Sequence, residues 1–387
     1  MVRGMPALAN SKMLEWARLE RGYSIDEAAK KIGIDSKFLQ QCEAGDSHLT
    51  FAKLRTAAKV YKRPTASFYL QKLPKPLEVP NFRRIKDRAE EPLSKELRLE
   101  IRRFYQKRKA AIELMEFAPP FDWDKLGTIG LDEDREAVGQ RIRRLLEITD
   151  DFPKGYVEGK AFKHWRSKIE STGTLVFVVS GVQVEEMRGM SFAEKPFPFI
   201  AVNSKDSYRA RTFSLLHEFC HILLEDSSVC DIHDAFASDE KHRSLEVFCN
   251  HVAGAALVPK DLLLATSTVR KHGSSEIWSD QELTALAGRF RVSREVILRR
   301  LLLLGRTTDG FYRAKRSNYR YPPRAGGGGG GGETSSERVF RTDGFVFTSM
   351  VLEALNRNVI AYADAARILN IKISGLASLE RLVQEQR

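Results

Sequence analysis

Apolar residues recur at helical spacing over most of this chain, interrupted by punctuation that marks where each helix starts and stops. Leu14 and Ala17 lead to a stop at Gly22, and Ser24 with Glu27 three residues on forms a capping box for a second helix. Ala28, Ala29 and Ile32 give that helix its apolar face before Gly33 breaks it. Asp35 or Ser36 opens a third helix through Leu39 to Glu43, and Gly45 ends it. Leu49 to Val60 repeats the period, and Pro64, Phe68 and Leu70 begin a fifth packing element. Residues 24–45 thus pattern as two short helices around a tight glycine turn.

Pro74, Pro76 and Pro80 end this module in an extended connection. Beyond them, Leu93 to Phe117 reads as one long amphipathic helix, and Asp132 to Glu147 as another with Val138, Ile142 and Leu146 inward. Trp165 and Ile169 mark a further short helix. The period then changes. Thr174 to Ser180 is rich in valine and phenylalanine, Gln183 to Met190 is expected to pair with it as a hairpin, and Phe199 to Asn203 is a third strand. The fold class expected is mainly α with a small β-sheet, α+β.

After the strands comes an apolar run, Leu215 to Leu224, broken only by His217, Glu218 and His221 among its charged or titratable side chains, with Cys220 between. On a helix, histidines four apart project from one face and can hold one cation, for which zinc is the natural guest. Glu218 points past the cation, where a carboxylate can take a proton from water. This HExxH arrangement would arise by chance in a chain this long with probability on the order of one per cent.

Catalytic zinc usually takes a third protein ligand. Asp226 lies too near the end of the motif helix to fold back easily, and Asp231 and His233 lie in a polar, turn-like stretch, Cys230 to His242. Glu246 heads a run to Pro259 apolar enough to be a buried helix, where a carboxylate is costly unless it meets a cation. His217, His221 and Glu246 are therefore the expected ligands and Glu218 the general base. Tyr208, His233, His242 and Tyr312 are unranked candidates for stabilising the transition state.

Composition narrows the class. With 42% hydrophobic and 29% charged residues over 387 positions, the chain reads as a globular protein of two or three domains. No run of 18 apolar residues and no leader pattern is seen, so a cytoplasmic protein without a membrane partner is expected. Four scattered cysteines make no disulfide framework. A net charge of +12 points to an anionic partner, nucleic acid above all. Part of that excess is a basic segment from Arg83 to Lys109, which reads equally as a solvated linker helix or a phosphate-binding face. Seven glycines, Gly326 to Gly332, read as a flexible linker or a fusion join. The short helical pattern that follows either completes the fold or binds a partner.

Two family resemblances follow. SIDEAAKKIGIDSKFLQQCEAG, followed by LTFAKLRTAAKVYKRPTASFYL, resembles the five-helix helix-turn-helix domain of the Xre family, with Ile25 where glutamine is usual. The resemblance implies double-stranded DNA as a partner, with Ser36, Lys37, Gln40 and Gln41 at the contact positions of the third helix. The alternative is a module reused for a homodimer or for docking a related repressor. The run FIAVN, R-x-x-F-S-L-L-HEFCH and E-x-x-CN-x-x-A-x-x-L-x-P resembles the ImmA/IrrE family of zinc metallopeptidases, with Phe219 and Cys220 in place of the more usual leucine and glycine. It implies Zn2+ held by His217, His221 and Glu246, Glu218 as base, and an Xre-type repressor as substrate. It places such proteins in stress response, mobile-element control or toxin–antitoxin pairs.

The domains expected are a helix-turn-helix module at 8–72, a helical linker at 73–149, a peptidase domain at 150–305, a glycine-rich linker at 306–336 and a helical region at 337–387. Within the peptidase domain, Ser279 to Gly305 reads as a helical pair that serves as scaffold or substrate dock, with Arg299, Arg300 and Arg306 favouring a second DNA reader instead. The competing function is a DNA-binding regulator or toxin component whose peptidase fold is chiefly an interaction surface.

Overall fold

A computed structural model describes residues 5–74, 93–226, 228–230, 240–319 and 332–386, with the backbone alone for 228–230, 241 and 242. The chain divides into two compact units, 1–79 with 91–103, and 80–90 with 104–387.

In the first unit, α1 (Ser11–Arg21), α2 (Ile25–Ile32), α3 (Ser36–Ala44) and α4 (Phe51–Tyr61) are followed by a 3-10 turn, Thr65–Tyr69. The expected caps are present: Ser24 and Glu27 close a capping box, and Asp35 accepts from the backbone N–H groups of Lys37 and Phe38. Leu14, Ala28, Ile32, Leu39, Leu54, Ala57 and Phe68 share one core. Across it, Arg18 of α1 donates from Nε and Nη2 to Glu43 of α3, the shortest contact being 2.8 Å. Burial of both groups makes that pair a determinant of how α3 sits.

The second unit takes the later part of α5 (Lys95–Glu113), then α6 (Arg135–Leu145), α7 (Glu158–Glu170), β1 (Leu175–Val179), β2 (Gly189–Phe192), β3 (Phe199–Asn203), α8 (Tyr208–Leu223), β4 (Ser228–Cys230) and α9 (Glu240–Leu257). The sheet order is β1-β3-β2-β4, with β1 parallel to β3 and the other pairs antiparallel. The hairpin expected between the first two strands is therefore replaced. Asn203 donates from Nδ2 to the carbonyls of Val182 and Met187, 3.2 and 2.8 Å away, and its own N–H bonds Arg188 O. These bonds hold residues 182–187 as a loop, so the pairing strand begins only at Gly189 and joins β3.

Both faces of this sheet are covered, so its strands read as continuous apolar runs rather than alternating ones. Val176, Val178, Ile200 and Val202 belong to the main core with Leu215, Leu216 and Phe219 of α8. On the other face, Phe177 stacks on Phe104 of α5 at 5.0 Å and meets Phe347 at 6.0 Å.

Phe347 belongs to the C-terminal helices. After α10 (Lys260–Leu264), α11 (Ser267–His272), α12 (Asp280–Phe290), α13 (Arg294–Leu303) and α14 (Asp309–Ser317), the chain continues as α15 (Ser335–Asp343), α16 (Phe345–Asn356), α17 (Tyr362–Ile368) and α18 (Leu376–Gln384). Sequence reading put Ser335 and Ser336 in the linker. They open a helix instead, because Thr334 caps it and Glu337 closes the box. Of the glycine run, Gly326–Gly331 lie outside the described residues, as do Arg83, Arg84, Lys86 and Arg88.

The cap between α15 and α16 ties this region to α7. Phe345 N donates to Glu170 Oε2 at 3.2 Å, and Arg166 Nη1 to the Arg341 carbonyl at 2.6 Å. Gly344 sits at φ 82, and a Cβ there would lie 2.0 Å from Glu170 Oε1. We therefore expect Gly344→Ala to lower the stability of the second unit by about 1–3 kcal/mol, through left-handed strain and the lost cap. Urea midpoints of the two full-length proteins measure this, and an unchanged midpoint would show that the C-terminal helices dock independently of the cap.

Candidate metal centre

α8 and α9 bring the candidate ligands together. α8 starts at the Ser207 cap, which accepts from Ala210 N, and its inward face runs through Leu215, Leu216, Phe219, Cys220 and Leu223. That burial fixes the rotation of the helix and carries His217 and His221 inward with it. α9 packs alongside with Phe248, Cys249, Val252 and Ala256 in the same core, which places Glu246 opposite the imidazoles.

The three side chains are all buried, Glu246 with only 1% of its surface exposed. His217 Nε2 lies 3.2 Å from His221 Nε2 and 3.2 Å from Glu246 Oε2, and His221 Nε2 lies 3.3 Å from Glu246 Oε1. Ligands about 2.0–2.1 Å from a tetrahedral cation are separated from one another by about 3.3 Å. The donor set therefore fits a zinc-like cation by type and by spacing, and it is the group of metal-ligand donors found among the described residues.

Electrostatics point the same way. Burial alone would raise the Glu246 carboxyl and depress His221. Instead the hydrogen bonds from His217 and His221 hold Glu246 well below the usual carboxylate range, and Asp226 and Glu246 hold His221 well above the usual imidazole range. The carboxylates of Glu246 and Asp226 thus favour positive charge at the imidazoles, which a bound cation would supply in place of a proton. Asp226, set aside in the sequence as too close to fold back, does reach the site: its Oδ2 lies 3.6 Å from His221 Nδ1. The tight turn at Glu225, with φ 54, returns the chain so that Asp226 can orient the ring from behind.

Glu218 faces β2 and is wholly buried. Burial raises its carboxyl above the usual range, and Ser191 Oγ donates to its Oε2 at 2.9 Å. Room for the carboxylate depends on Gly189, where a Cβ would lie 2.5 Å from Glu218 Oε1. Sequence reasoning missed both residues. The signal for Ser191 was a lone hydroxyl in the apolar strand Gly189–Phe192, and Gly189 gave none.

The remaining candidates separate. Tyr208 begins α8, nine residues before His217 and so about 13 Å along the axis, with its ring against Arg211. Tyr312 is buried in the main core. Asp231, His233 and the His242 side chain lie outside the described residues. In the first unit, Lys37, Gln40 and Gln41 are exposed on α3, while Ser36 Oγ is turned onto Asp26 Oδ1 at 2.6 Å. Arg300 and Arg306 are absorbed internally, by Glu136 with the Val258 carbonyl and by the Gly273 carbonyl.

Residues 173–302 match the peptidase family described as the IrrE N-terminal-like domain, and residues 14–68 match a helix-turn-helix family. The radiation response metalloprotease IrrE of Deinococcus deserti is 35% identical over 66 residues, covering 16% of this chain and 24% of the relative. The chain thus spans about a quarter of the length of the curated relative it matches. Both resemblances read from the motifs are found again, each over its own segment.

Metal analysis of purified protein tests the donor set. About one divalent cation per chain is expected, falling to near zero after dialysis for Glu246→Ala, because two imidazoles alone leave the cation short of a ligand. Ser191→Ala, which touches no donor, is expected to keep full metal content.

Proposed function

We propose that this chain is a zinc-dependent endopeptidase that hydrolyses a peptide bond in a protein partner, an Xre-type DNA-binding repressor. The observation that carries the reading is the donor triangle of His217, His221 and Glu246 at tetrahedral spacing with the buried Glu218 carboxylate beside it. Similarity to the IrrE-like peptidase family supports metal-dependent proteolysis, and the relative described as a radiation response metalloprotease supports a role in stress response. The same pairing of modules is compatible with mobile-element control or a toxin–antitoxin pair in the cytoplasm.

The residues divide the work by position. His217, His221 and Glu246 would hold the cation, with Asp226 fixing the His221 ring. A zinc ion there supplies Lewis acidity toward a scissile carbonyl and toward water. Glu218 accepts the proton of the attacking water and returns it to the leaving amine nitrogen, and its burial supports this by keeping the carboxyl basic. Ser191 holds the Glu218 carboxylate at one oxygen and so limits its rotation beside the donors.

The helix-turn-helix unit supplies delivery. Exposed Lys37, Gln40 and Gln41 would bring the enzyme to DNA, or to a repressor already bound there. A regulator that used the peptidase fold only as a surface would have no need of a buried carboxylate held by Ser191 and accommodated by Gly189.

Two measurements bear on these readings. Glu218→Gln should bind the cation as the parent does and lose about 100-fold or more in cleavage of a co-expressed Xre-type repressor; undiminished cleavage would overturn the role of Glu218. In selection from a random duplex pool, the parent should enrich a defined sequence, and Lys37→Ala with Gln40→Ala should weaken its binding by about tenfold or more. Failure of the parent to enrich any duplex would leave the unit as a protein-docking module.

A further inference from the structure

A cavity of about 320 Å³ lies between α8, α9 and α13 within the second unit, lined by residues of the two donor-bearing helices but by none of the donors themselves. Helical arithmetic places it. Phe213 lies one turn before His217 on α8 and stacks near its ring at 6.3 Å, and Asn250 lies one turn after Glu246 on α9. Both line the cavity, together with Ala210 and Val247. The far wall is α13, through Val296, Arg299 and Leu303. The volume is at the lower end of the range of about 300–1,000 Å³ usual for ligand sites, and Ala210, Phe213, Val247, Val296 and Leu303 form an apolar strip among polar and charged walls.

The charges around it do not balance. Four arginines line the cavity against one carboxylate, Glu295. Arg316 donates to that carboxylate at 2.9 Å, Arg188 to Asp206 at 2.7 Å, and Arg300 to Glu136 at 2.5 and 2.7 Å. Arg299 is the exception. It makes no ion pair among the described residues, and its Nε is enclosed with no hydrogen-bond partner there. A half-buried guanidinium beside an apolar pocket, with its donors unspent, recruits a carboxylate of opposite charge.

We propose that this cavity is a substrate-recognition subsite that takes an apolar side chain and an adjacent acidic one from the polypeptide being cleaved, with Arg299 receiving the carboxylate. The proposal rests on the peptidase reading above and names the sequence class that the enzyme selects. Phe213 and Asn250 lie one helical turn from His217 and from Glu246, close enough for a single extended polypeptide to reach from the cavity to the donors.

Binding to full-length, metal-loaded Glu218→Gln protein tests this without requiring turnover. The probes are blocked, fluorescein-labelled peptides in a Gly/Ser background with a central Leu-Glu, Leu-Gln or Leu-Lys pair, read by anisotropy. Leu-Glu should bind about tenfold or more tightly than Leu-Gln. That preference should vanish in Arg299→Gln and pass to Leu-Lys in Arg299→Glu, while Ala210→Phe should weaken all three by filling the apolar part. Arg299 has no internal partner to lose, and metal content and circular dichroism check that each variant is folded. Equal affinities, no binding of any probe at about 1 mM, or a Leu-Glu preference that survives Arg299→Gln would overturn the subsite. Cleavage of the same peptides by protein with Glu218 intact is read separately. Hydrolysis without acidic preference overturns the subsite alone, and acid-selective binding with no hydrolysis of peptides or repressor overturns the peptidase reading alone.

Discussion

A carboxylate buried between two imidazoles sets the geometry on which the rest of the second unit depends. Glu246 is 1% exposed on an apolar helix, a position that costs several kcal/mol for an unpaired charge. The imidazoles of α8, and the cation that they would hold together with Glu246, make that burial tolerable, so α8 and α9 must lie side by side with their rotations locked. The lock is built from ordinary packing: Leu215, Leu216 and Phe219 against Phe248, Val252 and Ala256. α9 is steadied from behind, where His251 donates to Glu136 at 2.8 Å and Arg300 reaches the same carboxylate. Burial alone would raise the Glu136 carboxyl, yet these two partners bring it down to about 2. A second, half-buried charge cluster thus holds the helix that carries the first.

The sheet gives the site its other wall, and the sheet in turn needs the C-terminal helices. Glu218 leaves α8 toward β2, where Ser191 meets it and Gly189 makes space. β2 can hold that position because β3 and β1 extend the sheet beside it, and their outward phenylalanines would face water without Phe104 and Phe347. Residues beyond the glycine run therefore serve the core rather than forming an appendage. Glu170 marks the junction: wholly buried, it accepts from Phe345 N and pairs with Arg166 at 3.0 Å, which satisfies the cap of α16 and the charge together.

Much of this was legible because the sequence signals were local. Capping boxes and glycine stops gave the helices of the first unit, and the four-residue spacing of His217 and His221 gave one face of the site. Glu246 was found through an energetic inconsistency, a carboxylate in an apolar helix, which is a signal that needs no contact information. What escaped was set by tertiary contact. The strand Gly189–Phe192 pairs with Phe199–Asn203 rather than with its predecessor because one asparagine, Asn203, holds the intervening loop. Ser191 and Gly189 acquire meaning only when Glu218 is placed against them, and Asp226 only when the turn at Glu225 folds it back. Arg299 and Arg300 are adjacent and identical in type, both line the cavity, and only the bonds of Arg300 to Glu136 and the Val258 carbonyl make it the structural one.

Chemistry at the donor triangle is indifferent to sequence, since a Lewis acid and a general base act on any peptide bond that reaches them. An enzyme with this centre must therefore gain selectivity from contacts away from the scissile bond, where binding energy can be made conditional on the correct partner. Two places on the chain have the right character. The exposed face of α3 carries Lys37, Gln40 and Gln41 on a unit with its own core, and under the proposed function would select where the protein resides. The cavity between α8, α9 and α13 carries the Arg299 guanidinium next to an apolar strip, and as a recognition subsite would select what enters the centre. Residence on DNA raises the local concentration of anything bound nearby without distinguishing its sequence, so delivery by α3 cannot replace recognition at the cavity. On the proposed function, both would be required for a hydrolytic centre of low intrinsic selectivity to act on one regulatory protein.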